Sequence, residues 1–176
     1  MIARAAAVPA FALLLGACAL APPKTGPLPD LAGVPSAFEM TGRLSLRQGD
    51  RSDIAKLRWT HRPRGDLWVI ASPLGNEVAR IESDAQGATL TQADGSGVQA
   101  DSFADLTQRV LGVALAPQTL AGWLHGTAPE ASDSAWDVMV EERQRAGSVD
   151  IARRMSARRG DVTVRLVVDE YRALTD

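Results

Sequence analysis

Side chains that carry catalytic or ligand chemistry are sparse in this sequence, and their spacing closes more routes than it opens. Two histidines, His61 and His125, stand far apart, and no cysteine pair completes a tetrahedral set, so no metal is expected. Serine and aspartate are plentiful, but no G-x-S-x-G string lifts a serine onto a strand-to-helix turn, and the histidines are expected in ordinary surface or capping roles. Gly95-Ser96-Gly97-Val98-Gln99-Ala100 matches G-x-G-x-x-A. The segment before it is short and polar, and no acidic residue lies about twenty positions on, so Asp94-Gly95 reads as a hairpin turn and not as a dinucleotide loop. No phosphate loop of the Walker type is present either. No catalytic residue and no cofactor is expected, which leaves the thiol of Cys18 and the apolar side chains as the informative material.

Cys18 is the only cysteine, so no intramolecular disulfide can form. It follows Leu15-Gly16-Ala17, and that string looks like the bacterial lipobox, whose cysteine is acylated and becomes the new N-terminus. Ahead of it stand a short basic region with Arg4 and an apolar stretch from Ala5 to Leu15, too short to span a bilayer. Residues 1–17 are therefore expected to be a lipoprotein signal peptide. About three acyl chains on Cys18, each CH₂ worth ~0.8 kcal/mol on burial, would anchor the protein permanently. By resemblance to lipoprotein sorting rules, Ala19 in place of Asp favours the outer membrane.

The elements behind this anchor can be taken in order. Residues 18–36 carry Pro22, Pro23, Pro27, Pro29 and Pro35 with no apolar period, and read as a flexible tether. A single domain is expected over 37–176. Phe38, Met40, Leu44 and Leu46 alternate with polar residues, as do Ala55, Leu57 and Trp59 after a turn at Gln48-Gly49-Asp50, which predicts a hairpin. Leu67 to Ala71 is apolar on both faces; 78–81 and 89–91 are short strands. The period then lengthens. Ser102 and Asp105 resemble a capping box before the stripe Phe103, Leu106 and Val110, with Gly112 as terminator, and Pro117 opens a second helix with Leu120, Trp123 and Leu124 on one face. Alternation returns at Trp136, Val138 and Val140, at Val149 and Ile151, and at Val162, Val164, Leu166 and Val168. Hairpin-length connections cannot make parallel pairs, so a mostly β, α+β fold is predicted, an antiparallel sheet with helices on one face.

The net charge of −2, one unit more negative without Arg4, argues against nucleic acid as a partner. Four tryptophans, Trp59, Trp68, Trp123 and Trp136, accompany one tyrosine and three phenylalanines. They either fill a core or line a cavity open to an apolar ligand, and composition does not separate the two. Ser72-Pro73-Leu74-Gly75-Asn76 places a leucine in a turn where polar residues are usual; it either folds back on the core or projects.

Phe38-Glu39-Met40-Thr41-Gly42-Arg43-Leu44, Arg58-Trp59, Ser72-Pro73-Leu74-Gly75, Leu111-Gly112 and Leu120-Ala121-Gly122-Trp123-Leu124-His125-Gly126, in that order behind a lipobox, resemble the LolB family. That resemblance implies an incomplete antiparallel β-barrel with helices closing an apolar cavity. It implies an outer-membrane lipoprotein, lipid-anchored on the periplasmic face, that accepts acylated lipoproteins from the periplasmic carrier LolA and inserts them into the membrane. It also implies that the turn Pro73, Leu74 and Gly75 is a membrane insertion loop. Cavity candidates, chosen by strand or helix face, are Met40, Leu44, Leu57, Trp59, Trp68, Ile70, Leu120, Trp123 and Leu124. The implied partners are the LolA-like carrier, the lipoprotein cargo and outer-membrane lipid, with the protein itself a monomer. The rival from another class is a structural or assembly lipoprotein that binds protein partners through a surface patch and needs no cavity.

Overall fold

The computed structural model describes residues 35–126 and 136–175. The leader 1–17, Cys18 and all but the last two residues of the tether lie outside them. Strands β1 (Phe38–Gln48), β2 (Arg51–Arg62), β3 (Gly65–Ala71), β4 (Glu77–Asp84), β5 (Gly87–Gln92) and β6 (Gly97–Ala100) come first. Helices α1 (Phe103–Leu111) and α2 (Pro117–His125) follow, then β7 (Asp137–Ala146), β8 (Val149–Arg159) and β9 (Val162–Ala173). The strands form one antiparallel sheet in the order β6-β5-β4-β3-β2-β1-β9-β8-β7. Its edges, β6 and β7, are not paired, so the sheet is an incomplete barrel with two helices on its inner face.

Strand β1 makes the sheet continuous, because it pairs with β2 on one side and with β9 on the other, from Phe38↔Ala173 to Gln48↔Val162. A bulge between Thr41 and Gly42 interrupts the second pairing. A Cβ on Gly42 would collide with the Val167 carbonyl oxygen, so the close approach at this bulge requires glycine. Alternation sends Phe38, Met40, Leu57, Trp59, Trp68, Ile81, Val164 and Leu166 inward, where they join the core with the buried faces of both helices.

Ser102 caps α1: its hydroxyl accepts from the Asp105 N–H at 3.1 Å and donates to the Asp105 carboxylate at 2.7 Å. The capping residue three places on is one methylene shorter than the usual Glu, and its carboxylate meets the hydroxyl. Gly112 ends the helix at φ 73°, and Gly126 ends α2 at φ 72°. Between the helices, the Thr107 hydroxyl accepts from the Leu115 N–H at 2.9 Å, fixing the connection over the sheet.

Two local features depart from the sequence reading. The hairpin turn expected at Asp94-Gly95 is present and joins β5 to the short strand β6, which was not itself expected because four residues of which one is clearly apolar carry no readable alternation. Val110 belongs to the helical stripe yet is 48% exposed, in the last turn of α1.

Candidate functional site

A cavity of about 520 Å³ lies between the inner face of the sheet and α1. Its size falls in the range of ligand sites, about 300–1,000 Å³. Leu44 and Leu46 of β1, Trp68 and Ile70 of β3, and Ile81 and Leu90 of the next strands form one wall. Phe103, Leu106 and Val110 of α1, with Leu120 of α2, form the other. Asp53, Gln92 and Thr107 are the polar members, and the Thr107 hydroxyl is already committed to Leu115. Four of the lining residues are exposed: Asp53, Val78, Gln92 and Val110. They mark the mouth, at the end of the sheet carrying the β3–β4 and β5–β6 turns. Two wider clefts, of about 710 and 770 Å³, lie at the opposite end around Arg64 and Asp84, and their walls are as polar as apolar. An aliphatic chain gains nothing there that water does not also offer.

The sequence candidates separate on this geometry. Leu44, Trp68, Ile70 and Leu120 stand on the cavity wall. Met40, Leu57, Trp59, Trp123 and Leu124 lie elsewhere, each at 3% exposure or less within the packed core. Inward direction is all that alternation can supply; whether an inward side chain meets a neighbour or a void depends on where the helices sit. Leu124 and Trp123 of α2, with Trp136 at 5.5 Å from Trp123, fill the end near Phe38. At the other end α1 lies over the strands and leaves space. Leu46, Ala79, Ile81, Leu90, Phe103, Leu106 and Val164 are wall residues that the candidate set omitted, though their strand or helix faces carried the same signal.

Leu74 projects from the molecule. It is 89% exposed, at the tip of a turn closed by Ser72 N–H donating to the Asn76 carbonyl (2.8 Å) and Gly75 N–H donating to the Ser72 carbonyl (2.8 Å). Gly75 takes φ 96°, open to glycine at little cost. Val78, four residues on, belongs to the mouth, so the exposed leucine and the cavity opening share one end of the sheet.

The family described as outer membrane lipoprotein LolB matches residues 36–171. The chain belongs to the LolB family. The outer-membrane lipoprotein LolB of Chromobacterium violaceum is 33% identical over 174 residues, covering 92% of this chain and 94% of that one. The outer-membrane lipoprotein LolB of Azoarcus sp. (strain BH72) is 29% identical over 176 residues, covering 92% and 91%. A LolA superfamily protein from Nitrosomonas europaea, known from a crystal structure, aligns with a TM-score of 0.43 at 8% identity over 80% of this chain and 87% of that one. The span matched to LolB takes in the cavity wall and the Leu74 turn; Cys18 precedes it.

The remaining polar groups of the chain are taken up in packing and hydrogen bonds. Asp66, 6% exposed, accepts from Trp59 Nε1–H at 2.6 Å and pairs with His61 Nδ1 at 2.7 Å. Of the surface and capping roles expected for it, His125 takes the second: it is 2% exposed at the end of α2, Nδ1–H donates to the Ala121 carbonyl at 2.7 Å, and so neutral Nε2 accepts from the Tyr171 hydroxyl at 2.8 Å. Burial holds the His125 pKa below its ordinary value, against the Ala121 hydrogen bond, and pushes the Tyr171 phenol up to about 12. Phe38 sits among Trp59, His61, His125 and Tyr171, with ring centroids 4.9 to 5.5 Å away. Neither imidazole is hydrogen-bonded to a serine, threonine or cysteine among the described residues. The cluster ties α2 and β9 to the start of β1, opposite the mouth.

Proposed function

We propose that this chain is an outer-membrane lipoprotein that accepts acylated lipoproteins from a LolA-like periplasmic carrier and inserts them into the membrane. One observation carries the reading: an apolar cavity of about 520 Å³ opens at the same end of the sheet as a turn holding Leu74 at 89% exposure. An acyl chain of about sixteen carbons in water costs on the order of 10 kcal/mol, so it must pass from one apolar container to another. Transfer between cavities and then into a bilayer runs downhill without nucleotide if each site holds the chain better than the last. The chain has no phosphate loop to supply energy otherwise. Cys18 is the acylated anchor, residues 18–36 are the tether, and the domain acts as a monomer on the periplasmic face. Leu74 enters the bilayer as cargo leaves the cavity.

The test uses the domain from residue 18 onward carrying Cys18→Ala, mixed with a carrier loaded with labelled lipoprotein. Label should move to the domain and then to liposomes. Leu74→Glu should accept label and fail to deliver it. A folded domain that takes no label overturns the receptor reading and favours an assembly lipoprotein.

A further inference from the structure

The outer face of the central strands carries a charge asymmetry that the cavity does not explain. Residues alternating with the buried set on β8, β9, β1 and β2 point outward, among them Arg158, Arg165, Arg47, Lys56 and Arg58, all exposed. These five make no ion pair among the described residues. Of the acidic groups on that face, Asp169 is engaged by Arg43 at 2.9 Å, Glu77 by Arg80 at 3.1 Å, and Glu142 by Arg153 and Arg154, while Asp137 stands opposite Arg158 at the edge of the sheet. Glu170 pairs with Thr41, whose partner on the other side is Arg58. Register places the cations together. Arg47 and Arg158 both neighbour Thr163, Arg165 neighbours Ser45, and Arg43 neighbours Lys56. At strand spacings the cluster spans about 15 by 20 Å. A chain of net charge −2 thus presents one face on which cations outnumber carboxylates.

Apolar groups stand inside and beside that face. Ile54, opposite Ser45, is 62% exposed. Lys56 pairs with Ala71, the last residue of β3, and the turn that follows carries Leu74. Cations interleaved with projecting aliphatic side chains suit a bilayer interface, where phosphates meet the cations and the aliphatics pass below them.

We propose that this outer basic face rests on an anionic phospholipid bilayer, orienting the domain so that Leu74 and the cavity mouth meet the membrane. The proposal rests on the reading that the Leu74 end faces the bilayer. Each basic side chain close to an anionic surface is worth roughly fivefold in partitioning, about 1 kcal/mol.

The domain from residue 18 with Cys18→Ala, which keeps the described core, is sedimented with vesicles of phosphatidylcholine alone or mixed with an equal part of phosphatidylglycerol. It should partition to the mixed vesicles and lose them as salt rises. Lys56→Gln, Arg58→Gln and Arg165→Gln together should weaken that partitioning by about a hundredfold, five for each charge. Arg62→Gln with Arg64→Gln, at the opposite end of the sheet, should leave it unchanged. Equal binding to both vesicle types overturns the proposal, and so does a triple variant that binds like the parent. A triple variant that keeps vesicle binding and loses the carrier reassigns the face to a protein partner. Fatty-acid uptake is read alongside: charge-dependent vesicle binding by a domain that takes up no fatty acid supports this face while sinking the cavity reading.

Discussion

A methyl group on Gly42 would be forced onto the Val167 carbonyl, in the strand pair that joins the two halves of the sheet. Backbone must shift to relieve it, so Gly42→Ala should destabilise the domain by about 1–3 kcal/mol, read from the denaturant midpoint. Leu74 is the converse. At 89% exposure it holds nothing together, so Leu74→Glu should leave that midpoint within about 0.5 kcal/mol of the parent while delivery to liposomes fails. His125 adds a pH dependence. Its folded pKa lies below the ordinary 6.5, chiefly because burial disfavours the cation, with His61 adding to the same direction. The unfolded chain then binds a proton that the folded one refuses, so stability is full above pH 6.5 and falls from there down to the depressed folded value. His125→Gln should flatten that slope in denaturant titrations run across the window; a slope identical to the parent's would remove His125 as its source.

At the scale of elements, the α1 cap offers the cleanest perturbation. Ser102→Ala removes the acceptor of the Asp105 N–H and should cost about 1 kcal/mol, with loss of helical signal at lower denaturant. That cap was legible in the sequence, as were the two helices with their glycine terminators and every long strand with clean alternation, because each is specified by neighbours within one turn or one hairpin. β6 was not, since its four residues acquire order only from pairing with β5. Nor was the division between core and wall. Met40 and Leu44 occupy the same face of β1 and look alike in sequence, yet Met40 is 1% exposed in packed core and Leu44 borders the cavity. The difference is made by α1 and α2, more than fifty residues downstream. Leu74 shows the opposite limit: turn chemistry left two placements open, and family resemblance favoured the one in which it projects.

For the whole molecule, separate core and wall imply that stability and capacity can be moved independently. Leu124→Ala, at 0% exposure and off the wall, should cost about 2–5 kcal/mol and leave uptake of a fluorescent fatty acid unchanged in the fraction that stays folded. Ala79 lines the cavity and is only partly buried, so Ala79→Phe has a void to grow into and should change stability little. The ring would displace the room for two or three methylenes, each worth about 0.8 kcal/mol, so uptake should fall about tenfold or more. If Ala79→Phe instead destabilised the domain and left uptake intact, the space beneath α1 would be packing slack, and the acyl chain would have to be held elsewhere. If it lowered uptake at full stability, the void under α1 would be a binding volume kept open against close packing. A fold that leaves its sheet unclosed and a space between that sheet and α1 has a reason to keep such a volume only if something apolar enters it.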